Sequence, residues 1–375
     1  MSHGAAAERR ATLRVFLCGD VMTGRGIDQI LPHPCPPMLY EPYAHSALDY
    51  VALAESAHGP IPRPADFAYV WGAALAEWRR MAPDLRIVNL ETSVTRSGAH
   101  RPKGINYRMS PENAECLRAA GIDCCVLANN HVVDWGAAGL RETLATLRRL
   151  GIAAVGAGGD RDEAMRPAIL QTDGKGQVIV FALAATTSGT PTGWEATQAA
   201  CGVNVVEALS DATVGDIAAG VARHARPGDV VIVSIHWGPN WGYAIAPAER
   251  QFAHDLIDKA GVSIVHGHSS HHAKAIEVFK NRLILYGCGD FLNDYEGIRG
   301  EEEFRGDLSL MYFADIDPAS GTLLGLEMTP LQIRGFRLAA AAPADVAWLR
   351  TTLDRESAHF GTHIAATSAG RLTLA

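Results

Sequence analysis

The chain has 375 residues, of which 48% are hydrophobic and 20% charged, the composition of a soluble globular protein with a sizeable core. Its net charge of −8, without any block of basic residues, argues against a nucleic-acid partner, and no apolar run is long enough to span a membrane. We therefore expect neither nucleic acid nor a membrane among its partners.

The N-terminus is Ala-rich and polar and lacks the apolar segment of a signal peptide. We therefore expect a flexible N-terminus, residues 1–12, on a cytoplasmic protein. The seven cysteines are scattered without a C-x-x-C pair, which is typical of reduced thiols rather than of disulfides or a zinc site. Since neither an internal repeat nor a linker interrupts the remainder, residues 13–375 are predicted to form a single domain.

The first predicted strand, Leu13–Gly19, is an apolar run that leads into Asp20. Open α/β sheets hold their ligands at strand ends, although Gly-Asp is also common in ordinary turns. Residues 27–66 are rich in proline, which favours a long ordered insertion with one short helix near Ala47–Glu55. Such an insertion either carries specificity or is a simple excursion of the chain.

Helices and strands alternate in the next part of the chain. Apolar residues at helical spacing predict a helix over Asp66–Met81, and the strand Leu85–Leu90 then leads into a second carboxylate, Glu91. After a predicted helix between Ser110 and Gly121, the third strand is Ile122–Ala128.

The end of the third strand is rich in polar groups, namely Asn130, His131 and Asp134. The amphipathic helix Ala137–Leu150 follows at once. Because the N-terminus of a helix carries positive potential, it favours ionised carboxylates and anionic ligands nearby. We interpret this strand end as functional.

Further short strands are predicted from Ile152 to Ala184, followed by a strand that ends at His236 between helices 214–225 and 246–260. Four histidines in eight residues, His266, His268, His271 and His272, then follow the apolar run Gly261–Val265. An edge hairpin over residues 276–286, Asp290, a strand pair between 307 and 333 and a closing helix over 342–355 complete the prediction.

Polar groups at these separate strand ends form one candidate donor set. Carboxylates, an amide oxygen and imidazoles together suit a divalent cation, namely calcium, manganese, iron or zinc. The set comprises Asp20, Glu91, Asn130, His131, His236, His268, His271 and Asp290.

Several motifs resemble, in order and spacing, the CapA-type family of capsule and poly-γ-glutamate biosynthesis: Gly19–Arg25, Asn89–Glu91, Asn129–Leu144, His236–Gly238 and Gly267–His271. The resemblance implies an α/β fold, a calcineurin-like four-layer αββα sandwich of two mixed β-sheets flanked by helices. It also implies metal-binding roles for Asp20, Glu91, Asn130, His236 and His271, and a catalytic role for His131 with Asp134 as its orienting partner.

The chain departs from the pattern of these families at three positions. Met22 stands where metallophosphoesterases carry a histidine, Ser269 replaces the first histidine of the last box, and Asp290 replaces an asparagine. The first two changes weaken a two-metal hydrolytic site, which needs two closely spaced ions. The third adds a carboxylate.

Within the family, the chain resembles the cytoplasmic epimerase that inverts the C-terminal residue of a lasso-peptide precursor. That resemblance predicts a metal-dependent peptide epimerase, an isomerase that acts on a precursor peptide. His131 and Asp134 would form one acid/base pair, and His268 or His271 with Asp290 or Asp20 the other. A phosphoester or amide hydrolase, with His268 replacing the missing ligand, and a non-enzymatic accessory protein of polymer synthesis are the alternatives.

Overall fold

The structure is a computed structural model that describes residues 12–375. The predicted flexible segment 1–12 therefore lies, apart from its last residue, outside the described residues. Within the described chain the helices are α1 (Arg25–Ile30), α2 (Ala47–His58), α3 (Ala74–Met81), α4 (Glu115–Ala119), α5 (Gly136–Leu150), α6 (Arg161–Met165), α7 (Asp211–His224), α8 (Pro247–Ala260) and α9 (Pro343–Ala358).

The described strands are β1 (Leu13–Val21), β2 (Leu85–Leu90), β3 (Ser93–Val94), β4 (Arg108–Met109), β5 (Cys124–Val126), β6 (Ala153–Val155), β7 (Ala157–Gly158), β8 (Ala168–Gln171), β9 (Gln177–Ala185), β10 (Gly202–Val203), β11 (Val205–Val206), β12 (Val230–His236), β13 (Ile264–His268), β14 (Ile276–Phe279), β15 (Arg282–Leu285), β16 (Asp290–Leu292), β17 (Leu308–Asp317), β18 (Thr322–Ile333), β19 (Leu338–Ala340), β20 (Ile364–Ala366) and β21 (Leu372–Leu374).

The larger sheet has the order β20-β21-β18-β17-β1-β2-β5-β6, with β16 paired to β1 and β19 to β18. The pairs β1–β2, β2–β5 and β5–β6 are parallel. The pairs β1–β17 and β17–β18 are antiparallel, so the sheet is mixed. Its central strand β1 is buried along almost its whole length, which explains the continuous apolar run in the sequence.

The second sheet has the order β11-β9-β12-β13-β15-β14, with β8 paired to β9. Strands β9, β12, β13 and β15 run parallel, whereas β14 and β8 pair antiparallel with their neighbours. The predicted hairpin at the edge of a second sheet is confirmed, since β14 is the last strand of this order and pairs with β15.

Alternate residues of β9 face opposite layers, as the two-residue period of a strand requires. Val178, Val180 and Ala182 belong to the core between the two sheets, whereas Ile179 and Phe181 belong to a second core against α7 and α8. On the far side of the larger sheet, aromatic side chains of β1 and α3 are in edge-to-face contact. The predicted α/β fold, with two mixed sheets flanked by helices, is confirmed.

The predicted helix over Asp66–Met81 is interrupted. A single 3₁₀ turn, Tyr69–Trp71, precedes α3, and the two are separated by Gly72 and Ala73. Gly72 has a φ of +42°, and a Cβ at this position would overlap the carbonyl oxygen of Leu338. The chain therefore turns sharply here because β19 approaches its backbone.

The boundaries of the other helices and strands differ less from the prediction. The helix expected between Ser110 and Gly121 is reduced to the five residues of α4, and the insertion helix extends to His58. Strands β20 and β21, which the sequence analysis did not predict, extend the larger sheet at its edge. None of the helices between residues 12 and 375 combines the length and apolarity that crossing a bilayer requires.

Candidate functional site

The ends of strands from both sheets meet beside one cavity of about 710 Å³. Asp20 of β1 lies level with Asp290 of β16 in the larger sheet, and His236 of β12 lies level with His268 of β13 in the second sheet. The cavity is lined by residues from both sheets and their loops, among them Glu91, Asn130, His131, His236, His271 and Asp290.

Two groups of three side chains bring their potential ligand atoms within 4.8 Å of one another. One group is Asp20, His236 and His268, and the other is Asp20, His271 and Asp290. Asp20 belongs to both, so it lies where one carboxylate could serve two neighbouring cation positions. Carboxylate and imidazole donors in this mixture suit a divalent transition metal.

Two buried carboxylate oxygens near the cavity, Asp20 Oδ2 and Glu91 Oε2, accept no hydrogen bond from the described part of the chain. The other Asp20 oxygen, Oδ1, accepts one from Asn89 Nδ2 at 2.6 Å. Burial, reinforced by the charge of Asp290, raises the pKa of Asp20, and burial together with Asp20 raises the pKa of Glu91. A buried carboxylate without a partner is costly, so a cation fits this donor set.

The imidazoles of His236 and His268 contact each other. Their Nδ1 atoms are 2.8 Å apart, while His236 Nε2 lies 3.1 Å from Asn130 Oδ1 and His268 Nε2 lies 2.9 Å from Ser234 Oγ. Burial lowers the pKa of both histidines far below its ordinary value. Both rings are therefore neutral near pH 7, the state in which an imidazole nitrogen binds a metal.

His131 also lines the cavity. The Nδ1 atom of His131 is 2.6 Å from Asp134 Oδ2, and the other carboxylate oxygen of Asp134 is 2.9 Å from Lys103 Nζ. The His131 ring stacks on the Tyr107 ring with centroids 3.8 Å apart. Burial lowers the pKa of His131 to about 4, although Asp134 acts in the opposite direction. Its free Nε2 lies 3.9 Å from Glu91 Oε1, so the ring is held with one nitrogen towards the carboxylate.

A second histidine–carboxylate contact joins His271 Nδ1 to Asp290 Oδ1 at 2.9 Å. Asn293 Nδ2 donates to the other Asp290 oxygen at 2.7 Å. Burial alone would lower the pKa of His271, but the charge of Asp290, its hydrogen bond to the ring and the charge of Asp20 together outweigh burial, and the pKa is raised. Of the pairings expected for the second pair, the structure thus contains His271 with Asp290.

The chain matches the family described as "Bacterial capsule synthesis protein PGA_cap" over residues 14–295. It belongs to this family. The predicted resemblance to CapA-type capsule biosynthesis proteins is thereby confirmed.

Individual relatives of this PGA_cap chain have informative names. A "probable polyglutamine synthesis accessory protein" of Mycobacterium tuberculosis (strain ATCC 25618 / H37Rv) is 48% identical over 352 residues, 93% of this chain and 92% of the relative. The "PGA biosynthesis protein CapA" of Bacillus subtilis (strain 168) is 27% identical over 284 residues, 75% of this chain and 63% of that protein. The "capsule biosynthesis protein CapA" of Bacillus anthracis is 26% identical over 232 residues, 62% and 53% of the two chains.

These names overturn the prediction that this PGA_cap chain is an enzyme, whether a metal-dependent peptide epimerase or a metallo-hydrolase. The relative that matches 93% of the chain is named an accessory protein, and none of the three is named an epimerase. The structure also places one of the predicted bases outside the cavity. His268, one of the predicted bases, is fully buried, does not line the cavity, and contacts Ser234 and His236 through its two ring nitrogens.

The three departures from the family patterns have clear structural counterparts. Met22 is buried and its sulfur accepts from the Gly24 amide at 3.2 Å, so this side chain offers no histidine nitrogen to the site. Ser269 lines the cavity with a φ of +99°, directly after the buried His268. Asp290 contributes its carboxylate to one of the donor groups.

Several residues of the PGA_cap site carried no recognisable signal in the sequence. Lys103 and Tyr107 lie in an irregular loop, where neither periodicity nor a motif predicts which side chains turn inward. Arg25 and Asn89 lie within the motifs that carry the family resemblance. Asn89 is a polar residue inside an apolar strand, and this feature could have drawn attention to it. The metal-binding and acid/base roles of the predicted residues remain predictions.

Proposed function

We propose that this protein is a non-enzymatic accessory protein in the synthesis of a glutamate or glutamine polymer, and that it holds a stretch of the polymer beside a bound divalent cation. The names of two relatives, a polyglutamine synthesis accessory protein and a PGA biosynthesis protein, support the pathway. Such a polymer presents carbonyl or carboxylate oxygens at every residue, and these are suitable partners for a divalent cation.

One observation carries the proposal of a cation-dependent site. Asp20 Oδ2 and Glu91 Oε2 are buried carboxylate oxygens without a hydrogen-bond donor among residues 12–375, and neutral imidazoles stand beside them. Asp20, Glu91, Asn130, His236 and His271 would hold calcium, manganese, iron or zinc. When bound, the cation would supply the positive charge that this otherwise acidic pocket needs to receive an anionic or polar chain.

The remaining walls of the cavity provide groups that suit a polar polymer. Asn240, Asn293 and Tyr295 offer hydrogen-bonding side chains along the cavity, and the charge of Lys103 is paired with that of Asp134. At about 710 Å³ the cavity lies within the ordinary range of ligand pockets, roughly 300–1,000 Å³. It is therefore large enough for a short stretch of chain rather than for a single small ion.

The test combines metal analysis with calorimetry on the full-length protein. The wild type is freed of metal with a chelator, reloaded with manganese, calcium, iron or zinc in separate samples, and titrated with a glutamate decamer and a glutamine decamer. We expect tight binding of at least one metal, and decamer binding that weakens at least tenfold without it. Asp20→Asn should lose both, since it removes the carboxylate shared by the two donor groups.

Asp84→Asn is the matched control, because Asp84 is a partly buried carboxylate bound to Lys175 on a different part of the molecule. This variant should bind metal and decamer as the wild type does. If the metal-loaded wild type binds neither decamer, or if the metal-free protein binds as well as the loaded one, the proposed function is wrong.

A further inference from the structure

Residues 297–303 form an exposed segment between two anchored ends, and we call this segment the strap. Four of its residues also line the cavity of about 710 Å³ beside the candidate cation site, namely Ile298, Arg299, Glu301 and Glu302. The strap therefore borders both the solvent and the cavity. Its position raises the question of whether it controls access to the site.

The start of the strap is anchored by the buried carboxylate of Glu296. This carboxylate accepts hydrogen bonds from the backbone amides of Gly335 at 2.7 Å and Phe336 at 2.6 Å. It also lies 2.5 Å from Nδ1 of His58, the last residue of α2. These contacts attach the start of the strap to the insertion 27–66 and to the turn between β18 and β19.

The end of the strap is anchored by Phe304 and Arg305. The Phe304 ring packs against the rings of His272 and Trp241, with centroids 4.8 Å and 5.6 Å away. The Arg305 guanidinium is 2.8 Å from the carboxylate of Asp345 at the start of α9. Both ends of the strap are therefore attached to the body of the protein.

The strap itself makes few contacts. The charged side chains of Arg299, Glu301, Glu302 and Glu303 make no ion pair or hydrogen bond with residues 12–375. Gly300 has a φ of +140°, which other residues rarely adopt, and apart from its chain neighbours no described atom lies within 4 Å of the position of a Cβ. A segment with so few contacts moves at a low cost in free energy.

Two exposed apolar side chains stand at the cavity, one on the strap and one on the insertion 27–66. Ile298 is 47% exposed and Tyr43 is 66% exposed, and both line the cavity. A movement of the strap that packed Ile298 on Tyr43 would remove apolar surface of both side chains from water. The hydrophobic effect therefore favours such a closure.

We propose that the strap closes over a ligand bound in the cavity, with Ile298 packing on Tyr43. Glu296 and Phe304 hold its two ends, and Gly300 absorbs the change in backbone direction. A bound ligand favours the closed position because the closed strap makes additional contacts with it. The inference rests on the proposed function for its ligand and goes beyond it, since it concerns the rate at which the ligand leaves.

The first experiment measures dissociation of a fluorescent glutamate decamer from the manganese-loaded full-length protein by stopped flow. Ile298→Ser and Tyr43→Ala should each raise the dissociation rate about fivefold, and the double variant should be no faster than the faster single variant, because the closing contact needs both side chains. Metal content and the melting temperature establish that each variant keeps the fold and the metal.

Leu324→Ser is the matched control. Leu324 is an apolar residue of β18 that is 56% exposed, and it does not line the cavity. The substitution removes a comparable exposed side chain and should leave the dissociation rate unchanged.

The second experiment follows the strap directly by hydrogen exchange and by cleavage with trypsin after the exposed Arg299. Decamer with manganese should slow both the amide exchange of residues 297–303 and this cleavage in the wild type. The protection should be much smaller in Ile298→Ser. The exposed turn 172–176, which does not line the cavity, is the internal reference and should exchange equally with and without ligand.

Failure of the strap and failure of the proposed function give different results. If the decamer binds but the effects of Ile298→Ser and Tyr43→Ala multiply in the double variant, or if the ligand leaves exchange of the strap unchanged, the strap does not close on Tyr43 and the proposed function stands. If the metal-loaded wild type binds neither a glutamate nor a glutamine decamer, the proposed function fails and the inference fails with it.

Discussion

At the scale of single residues, the histidine cluster divides into side chains with different environments. His266 is fully buried; its Nε2 lies 2.8 Å from the carbonyl oxygen of Cys18 and its Nδ1 lies 3.0 Å from Ser234 Oγ. Because Cys18 belongs to the larger sheet and His266 to the second, this imidazole links the two sheets. His271, in contrast, lines the cavity. Four histidines close in sequence therefore do not form a single ligand set.

His266→Leu should lower the stability of the fold without changing the number of bound metal ions. The variant leaves the buried Cys18 carbonyl without this partner, a loss of about 1–3 kcal/mol in the free energy of unfolding. Urea unfolding in chelator measures the loss, and metal analysis of the reloaded protein measures the stoichiometry.

His271→Leu provides the comparison, because it should reduce metal affinity at least tenfold while its unfolding in chelator changes less. If His266→Leu loses the metal instead and keeps its stability, the separation of structural from ligand histidines is wrong.

At the scale of elements, periodicity predicted most strands and the long helices, because their residues alternate between two cores or face one of them. It did not predict the break before α3. The cause of that break is the backbone of Leu338, which is 266 positions further along the chain than Gly72 and carries no local signal. Lys103 and Tyr107 were missed for a similar reason, since the contacts that hold their loop are made with residues distant in sequence.

Gly72→Ala should destabilise the protein by more than about 2 kcal/mol, because the added Cβ overlaps the Leu338 carbonyl oxygen and the positive φ is unfavourable for alanine. Gly215→Ala is a control of opposite sign. Gly215 is exposed within α7, and apart from its chain neighbours and the backbone of its own helix no described atom lies within 4 Å of the position that its Cβ would occupy. That substitution should stabilise the helix by about 0.5–1 kcal/mol.

Chemical unfolding monitored by circular dichroism compares the two variants with the wild type. Equal effects of Gly72→Ala and Gly215→Ala would show that β19 does not constrain the turn before α3.

At the scale of the whole molecule, the candidate cation site lies where the two sheets meet. Asp20 comes from the larger sheet and His236 from the second, so a bound cation would join both sheets and favour the folded state. A ligand that binds only the folded state stabilises it by about 2.7 kcal/mol at a concentration one hundred times its dissociation constant. Metal binding and unfolding are therefore linked, and pH affects both through the same carboxylates.

Without metal, the free energy of unfolding should fall as the pH rises from about 7 to 8. Burial and the charge of Asp290 raise the pKa of Asp20 to about 8, whereas in the unfolded chain this carboxyl ionises near pH 4. At pH 7 the folded protein thus holds a proton that the unfolded chain has lost, so stability decreases with rising pH until the folded carboxyl itself ionises. Buried neutral histidines such as His236 contribute to the pH dependence of stability below pH 7, because imidazoles in the unfolded chain ionise near pH 6.5.

With saturating manganese the Asp20 contribution to this dependence should disappear, because the metal-bound carboxylate is ionised and the unfolded carboxyl is ionised as well, so unfolding no longer releases its proton. Urea unfolding at pH 7.0, 7.5 and 8.0, in chelator and in manganese, measures both slopes; one group contributes at most about 1.4 kcal/mol per pH unit. Asp20→Asn should reduce the slope in chelator, with Glu91 still contributing because its pKa is also raised, and should abolish the manganese effect, whereas Asp84→Asn should preserve both. Identical slopes with and without manganese in the wild type would mean that Asp20 does not exchange its proton for a cation.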